Sequence, residues 1–187
     1  MENIQISNAL KKLDSGCTLL YPTDTVWGIG CDATNEIAVS KIYKIKNREE
    51  SKSLIILVDS FEMLSNYVEN ISEKVKEILK KATKPTTIIY RNPKGIAVNC
   101  IAKDNTIAIR IVQNDFCKEL INKLGKPIVS TSANVSGKPT PKSFSEISTT
   151  ILDSVDYIVN LQQEKITTAS SRILKITDDN KVEVIRE

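Results

Sequence analysis

The sequence contains no histidine. That excludes imidazole acid/base work and both Ser-His-Asp and Cys-His catalysis, and it removes the commonest metal ligand. Cysteine is sparse: Cys17, Cys31, Cys100 and Cys117 are scattered, with no Cys-x-x-Cys pair, so neither a zinc site nor a disulfide framework is expected. Aromatic residues make up only 5% and the net charge is only +3, so neither a base-stacking platform nor a broad basic face is evident. No apolar run approaches the roughly 18 residues of a membrane span. The opening Met1-Glu2-Asn3-Ile4-Gln5 has no basic stretch before an apolar one, so a cytoplasmic protein without membrane association is expected. Neither Gly-x-x-x-x-Gly-Lys-[Ser/Thr] nor Gly-x-Gly-x-x-Gly occurs.

What remains is carboxylate, lysine, hydroxyl and electrostatic chemistry on an ordinary globular composition, 41% hydrophobic and 26% charged over 187 residues. One domain covering residues 1–187 is expected, large enough to bury roughly 70% of its unfolded surface. Short β-like runs alternate with helical patterns. Thr18 to Tyr21, Leu54 to Val58, Thr87 to Tyr90, Ile107 to Val112, Ile128 to Thr131 and Tyr157 to Asn160 read as strands. Asn35 to Ile45, with Ile37, Ile42 and Ile45 near helical spacing, Ser72 to Lys81 and Asn114 to Leu124 read as helices. Asn35 and Ser72 suit N-caps, and Gly125 suits a left-handed stop. Ser171 to Ile176 and Val182 to Arg186 form a closing hairpin around an Asp178-Asp179-Asn180 turn, which makes the sheet mixed.

Four segments have the residues for chemistry. Tyr21-Pro22-Thr23-Asp24-Thr25-Val26-Trp27-Gly28-Ile29-Gly30 reads as a strand running through a Pro, Thr and Gly segment before a helix, able to present hydroxyls and backbone NH groups. Lys44 to Lys52 places four cations in nine residues; the helix dipole accounts for Lys44 and Lys46, whereas Arg48 and Lys52 fall past the helix, where ligand loops of α/β folds lie. Ser130-Thr131-Ser132-Ala133-Asn134-Val135-Ser136-Gly137-Lys138 is dense in short donors suited to phosphate and nucleotide oxygens. In Thr106 to Arg110, alternation puts Thr106, Ala108 and Arg110 on one face. An arginine in a central strand must face a cavity, an anionic ligand or a carboxylate.

Taken in order, Pro-Thr-Asp-Thr-Val-Trp-Gly-Ile-Gly, Lys46-x-Arg48, the Thr106 to Arg110 strand, and Ser132-x-Asn134 with Ser136-Gly137-Lys138-Pro139 resemble the YrdC-type threonylcarbamoyl-AMP synthases over about residues 5 to 186. The resemblance implies an α/β fold: an open, twisted mixed sheet with flanking helices and a basic concave cavity. It implies that ATP, L-threonine and bicarbonate give threonylcarbamoyl-AMP and pyrophosphate with Mg2+, and that the product passes to a separate tRNA threonylcarbamoyl transferase. By position, Lys46 and Arg48 are the catalytic cations; Arg48, Lys52, Thr106, Ser132, Asn134, Thr140 and Arg186 hold ATP; and Thr25, Arg110, Ser130 and Ser170 hold threonine, with Ser171 the other occupant of the last position.

Departures from the family pattern are Trp27 for tyrosine, Ser53 and Val112 for prolines, Ala82-Thr83-Lys84-Pro85 for a Trp-Pro-Gly-Pro stretch, and Leu57 where some members have a histidine. The rival readings are a non-enzymatic binder of tRNA or double-stranded RNA, and a carbamoyl transferase like the similar domain in hydrogenase-maturation proteins. The Arg91 to Asp104 loop, with Gly95 as a hinge, is the expected closing element.

Overall fold

The computed structural model describes residues 2–49, 54–167, 169–177 and 181–187. The order is α1 (Glu2–Asp14), β1 (Leu19–Tyr21), β2 (Gly28–Gly30), α2 (Glu36–Lys46), β3 (Ile55–Val58), α3 (Phe61–Tyr67), α4 (Glu73–Lys81), β4 (Thr86–Arg91), β5 (Thr106–Ile111), α5 (Asp115–Leu124), β6 (Ile128–Ser132), α6 (Thr149–Leu152), β7 (Tyr157–Ile158), β8 (Arg172–Ile176) and β9 (Val182–Arg186). Among the described residues the strands make one nine-stranded sheet ordered β7-β1-β2-β6-β3-β5-β4-β8-β9. It is mixed as expected: β1–β7, β3–β5 and β4–β8 are parallel and the other neighbours antiparallel.

The helix ends follow from local chemistry. Asn35, Ser72 and Asn114 each accept a backbone N–H three residues on, and Gly125 stops α5 at φ 67°. Such caps hold each end to about 1 kcal/mol, which fixes where the following strand begins. One expectation fails within α2: Ile37 is 77% exposed, and the buried stripe is Ala38, Val39, Ile42, Tyr43 and Lys46. Tyr43 and Lys46 continue the Val39 and Ile42 rows at i+3 and i+4, so a lysine completes the helix's inner face. The hairpin is present, with β8 starting at Arg172; the turn at Asp178 to Asn180 lies outside the described residues.

Alternation sorts the sheet's two faces. Leu20, Ile29, Ile56, Val58, Ile88, Ile107 and Ile109 pack on one face with α2 and the loop around Ala97 and Cys100. Leu19, Tyr21, Leu57 and Ile128 point to the other, where α1 and α5 cover them with Ile6, Leu13, Phe116 and Leu120. Those two helices stop short of β4, β8 and β9. The open part of that face, bordered by Ile55, Ala108, Arg110, Ile89 and Ile173, is the floor of a cavity of about 410 Å3.

Two glycines of β2 stand where a side chain has no room. A Cβ on Gly30 would lie 2.0 Å from the Val129 carbonyl oxygen and 2.8 Å from the Tyr21 ring, whose hydroxyl donates to that same oxygen at 2.9 Å. A Cβ on Gly28 would meet Ser130 Oγ at 3.0 Å. The Thr23 to Gly30 segment therefore differs from a plain strand-to-helix connection: Gly28–Gly30 is itself a strand, inserted between β1 and β6.

The Arg91 to Asp104 loop is no lid. Asn92, Lys94 and Ala97 donate their backbone N–H groups to Asn105, Tyr67 and Ala33, and Ile96, Ala97 and Cys100 are buried in the core. Gly95, at φ 68°, serves this fixed path, and none of the loop's residues lines the cavity.

Candidate active site

The cavity wall nearest β1 is the Pro22 to Val26 turn. Thr23 Oγ1 donates to the Val26 carbonyl at 2.7 Å and accepts the Thr25 N–H at 3.0 Å. Its proton being spent, the 3.0 Å contact between the two threonine hydroxyls has Thr25 as donor. The lone pairs of Thr25 Oγ1 then face Arg110, whose Nη2 lies 3.4 Å away.

Arg110 is the buried charge of the site, 3% exposed. The sequence left three partners open for it, and the structure supplies two. Its Nη2 pairs with Asp24 Oδ1 at 3.0 Å, while the second Asp24 oxygen accepts the Gln113 N–H at 3.1 Å. Its side chain also lines the cavity, and its buried Nε finds no acceptor among the described residues. A buried guanidinium N–H without a partner is costly unless a ligand or water meets it. Asp24 was missed as a site residue; its signal was its place between Thr23 and Thr25 in a turn that also needs a carboxylate for the strand arginine.

Across the cavity Arg186 donates from Nε and Nη2 to the Ser171 carbonyl at 3.0 and 2.8 Å, and from Nη2 to Ser171 Oγ at 3.2 Å. Burial and the nearby positive charge of Arg110 push its pKa down, the signature of two guanidiniums converging on one space. Ser171, buried and bonded to Thr87 Oγ1 at 2.8 Å, orients Arg186, while Ser170 is exposed toward the cavity. Thr87 and Ser171 thus act through Arg186.

The third cation arrives by a helix exit. Asn47 adopts the left-handed conformation at φ 46°, Arg48 N bonds back to the Tyr43 carbonyl, and the chain turns Arg48 into the cavity wall. Lys46 does something else. It is 1% exposed, and its ammonium donates to the carbonyls of Ser132 and Asn134 (2.6 Å to the latter), while its own carbonyl accepts the Ser136 N–H at 2.7 Å. Burial, with a contribution from Arg48, lowers its pKa to about 8. Expected along the cavity wall, Lys46 instead sits beneath the Ser132 to Ser136 loop and fixes its path.

That loop is further locked from within. Ser132 Oγ donates to Asn134 Oδ1, and Asn134 Nδ2 donates to the carbonyls of Val135 (3.1 Å) and Lys138 (2.6 Å). Ser130, Thr131, Ser132 and Thr140 reach the main cavity. Asn134 faces an adjoining hollow of about 480 Å3 that shares Thr140. Thr106 bonds to Asp104 at the far end of β5, away from both, and Lys52 lies outside the described residues. Leu57 is buried against α1 and α5 and offers no contact.

The site has no obvious nucleophile: the thiols of Cys31, Cys100 and Cys117 are buried and pushed up in pKa, to about 12 for Cys100. Its resources are three guanidiniums and a ring of hydroxyls. Among the described residues no carboxylate lines the cavity and no group of three or more metal-ligating acidic, thiol or imidazole side chains occurs. No described helix is long and apolar enough to cross a membrane.

The Sua5/YciO/YrdC family model, described as "telomere recombination", matches residues 11–187. This chain belongs to that family. Curated relatives of the Sua5/YciO/YrdC chain include a putative threonylcarbamoyl-AMP synthase of Methanocaldococcus jannaschii, 38% identical over 178 residues that cover 95% of this chain and 82% of the relative. A threonylcarbamoyl-AMP synthase of Idiomarina loihiensis is 34% identical over 145 residues, covering 76% and 78%. Among solved structures, P. abyssi Sua5 complexed with L-threonine superposes with a TM-score of 0.86 at 26% identity, covering 97% of this chain and 53% of that one, so this chain spans about half of the Sua5 protein. E. coli YciO shares the fold, with a TM-score of 0.86, 24% identity and coverage of 100% and 90%.

Proposed function

We propose that this protein is an ATP-dependent L-threonylcarbamoyladenylate synthase, joining threonine, bicarbonate and the AMP part of ATP with release of pyrophosphate. The observation that supports it most is the Arg110 arrangement: a buried guanidinium held on one side by Asp24 and unpartnered at Nε, facing a cavity with two further arginines. Such a guanidinium suits a carboxylate, which accepts from it in a plane. Thr25, Ser130 and Ser170 line the same cavity and would take the rest of the amino acid, while Arg48, Ser132, Thr140 and Arg186, also in its lining, would take ATP.

The threonine amine and bicarbonate form a carbamate, a C–N bond replacing the C–OH bond as water leaves; a carbamate oxygen then attacks the α-phosphorus, a P–O bond forms, and the bond to the β-phosphate oxygen breaks to release pyrophosphate. Every partner is anionic, so the work is positioning and charge neutralisation, which arginines supply without a nucleophile. Lys46, expected as a catalytic cation, would act by holding the Ser132 loop. Mg2+ fits this site as an ion carried on the nucleotide's phosphate oxygens and water, because the described lining offers it no carboxylate; it would neutralise the phosphate charge. Delivery of the product to a tRNA threonylcarbamoyl transferase in the cytoplasm completes the proposal. No described feature favours RNA binding as the primary role.

The test is to incubate the protein with ATP, Mg2+, labelled bicarbonate and threonine, and to measure pyrophosphate and a labelled adenylate. Threonine-dependent formation of both is expected. Pyrophosphate release that ignores threonine, or labelling only when carbamoyl phosphate replaces bicarbonate, would overturn the assignment.

A further inference from the structure

The end of β9 breaks its own alternation. Ile176 with Val182, Lys175 with Glu183 and Leu174 with Val184 keep one register, but the next pair is Ile173 with Arg186, so Ile185 is the extra residue of a β-bulge. Opposite residues of an antiparallel pair share a face of the sheet. Leu174 is buried in the core on the α2 side, so Val184 belongs to that face. Ile173 lines the main cavity, so Arg186 belongs to the other. An unbroken register would instead set Arg186 opposite Arg172, on the face beside α4. The bulge therefore carries Arg186 across the sheet plane. It also leaves Ile185 on the cavity side, so two consecutive residues line the cavity where strict alternation allows one.

Ile185 is a large apolar side chain left 49% exposed, next to the aliphatic floor of Ile173, Ile89 and Ala108. The methyl group of threonine does not suit it. Arg110, the partner of the threonine carboxylate in the synthase reading, stands on β5, and β9 lies three strands away through β4 and β8, about 14 Å across the sheet. Phosphates do not suit an aliphatic surface either. The flat, uncharged part of ATP is its base, and no aromatic ring among the described residues lines the cavity to stack on it. Aliphatic side chains are the apolar surface this cavity offers.

We propose that the β9 bulge builds the nucleotide edge of the site, turning Arg186 into the cavity for the phosphates of ATP and standing Ile185 beside it as the residue against which the base packs. The bulge is a positioning device and Ile185 a binding residue. The choice of ATP rests on the synthase reading above; the bulge and the exposed isoleucine do not.

Calorimetric titration tests it, with ATP and with inorganic tripolyphosphate, which carries the phosphates without the base, each in the presence of Mg2+. The proteins are the unmodified chain, Ile185→Ser, Val184→Ser and a chain with Ile185 deleted. Ile185→Ser should weaken ATP by about fivefold or more and tripolyphosphate by less than about twofold. Val184→Ser, one residue away on the other face, should change neither. The deletion restores an unbroken ladder with Arg186 still opposite Ile173, so it should match Ile185→Ser. Equal losses of ATP and tripolyphosphate in Ile185→Ser, or no loss of either, overturn the base contact. Loss of tripolyphosphate binding in the deleted chain overturns the register argument. Should that chain not fold, a backbone Overhauser contact of Ile173 with Arg186 in the unmodified protein supports the bulge, and one with Ile185 instead overturns it.

In turnover, Ile185→Ser should raise KM for ATP and leave KM for threonine within about twofold; a rise confined to threonine would give Ile185 to the amino acid and overturn the assignment. Absence of threonine-dependent turnover in the unmodified protein sinks the synthase reading alone, since the comparison of ATP with tripolyphosphate still decides the contact.

Discussion

Replacing Lys46 with methionine separates two roles that a family pattern cannot distinguish, direct contact with phosphate and support of the Ser132 loop. The side chain is buried, and its ammonium is spent on the carbonyls of Ser132 and Asn134. Methionine keeps much of the volume but leaves both oxygens without this donor, at about 1–3 kcal/mol each. Against that stands the cost of holding the charge in the core: a pKa lowered from 10.5 to about 8 corresponds to about 3 kcal/mol at 1.36 kcal/mol per pH unit. At pH 7 the two largely offset, so Lys46→Met changes global stability by no more than about 3 kcal/mol.

The pH dependence carries the sharper expectation. The folded pKa lies below the unfolded one, so between roughly pH 8 and 10.5 the unfolded chain holds the additional proton, and the stability of the unmodified protein rises with pH in that window. The methionine variant lacks this term. Urea unfolding at pH 7.5, 9 and 10.5 should therefore show the unmodified protein gaining about 3 kcal/mol over the variant across the series. ATP affinity, read in parallel, should fall through disorder of the loop. A stability difference that stays flat with pH, together with normal loop protection from proteolysis, would refute the burial argument and return Lys46 to the phosphates.

Four other outcomes follow from the same geometry. Arg48→Ala should lower kcat/KM by about 100-fold or more, on the order of 3 kcal/mol of lost electrostatic stabilisation, and near-normal turnover would remove Arg48 from the mechanism. Asp24→Asn should raise KM for threonine by about tenfold while leaving KM for ATP within about twofold, because it frees Arg110 to rotate; equal changes in both would make Asp24 only a fold determinant. Gly30→Ala should cost about 3 kcal/mol or more in urea unfolding, since its Cβ would meet a backbone oxygen at 2.0 Å, and an unchanged midpoint would show that β2 and β6 can part there. Chelation of Mg2+ should stop turnover while leaving the thermal midpoint in the absence of ATP unchanged, whereas a lowered midpoint would reveal a metal held by the protein.

The elements legible in the sequence were those with a period or a cap. Every strand read from apolar runs is present within two residues or so at each end, and two helices begin at their expected caps, Asn35 and Ser72, with Asn114 capping the third. What escaped had neither signal in usable form. The first helix, Glu2–Asp14, buries only Ile6, Ala9 and Leu13, a stripe too thin to stand out among polar residues. The Gly28–Gly30 strand is defined by what cannot fit beside it, namely the Tyr21 ring and the Val129 carbonyl, and a clash three-dimensional in origin leaves no mark on local composition. Ile37 misled because period alone cannot tell that Lys46, four residues beyond Ile42, would take the inner row.

The site divides along the same line. Residues that present a charge or hydroxyl to the cavity, Thr25, Arg48, Arg110, Ser130, Ser132, Thr140, Ser170 and Arg186, were reached through the family resemblance, while the residue types alone pointed only to the Arg48, Arg110 and Ser130 to Lys138 segments. Residues that aim them were not reached in that role. Asp24 fixes one edge of Arg110, Ser171 with Thr87 fixes Arg186, and Lys46 fixes the Ser132 loop, all through contacts between segments 15 to 88 residues apart. Each of these supports uses a group that looks functional in one dimension and is consumed by the protein in three. The consequence for the mechanism is specific. With Lys46 engaged internally, the cations that the described residues bring to the cavity are Arg48, Arg110 and Arg186, so nucleotide binding should weaken as salt rises, and removal of Lys46 should leave that salt dependence unchanged.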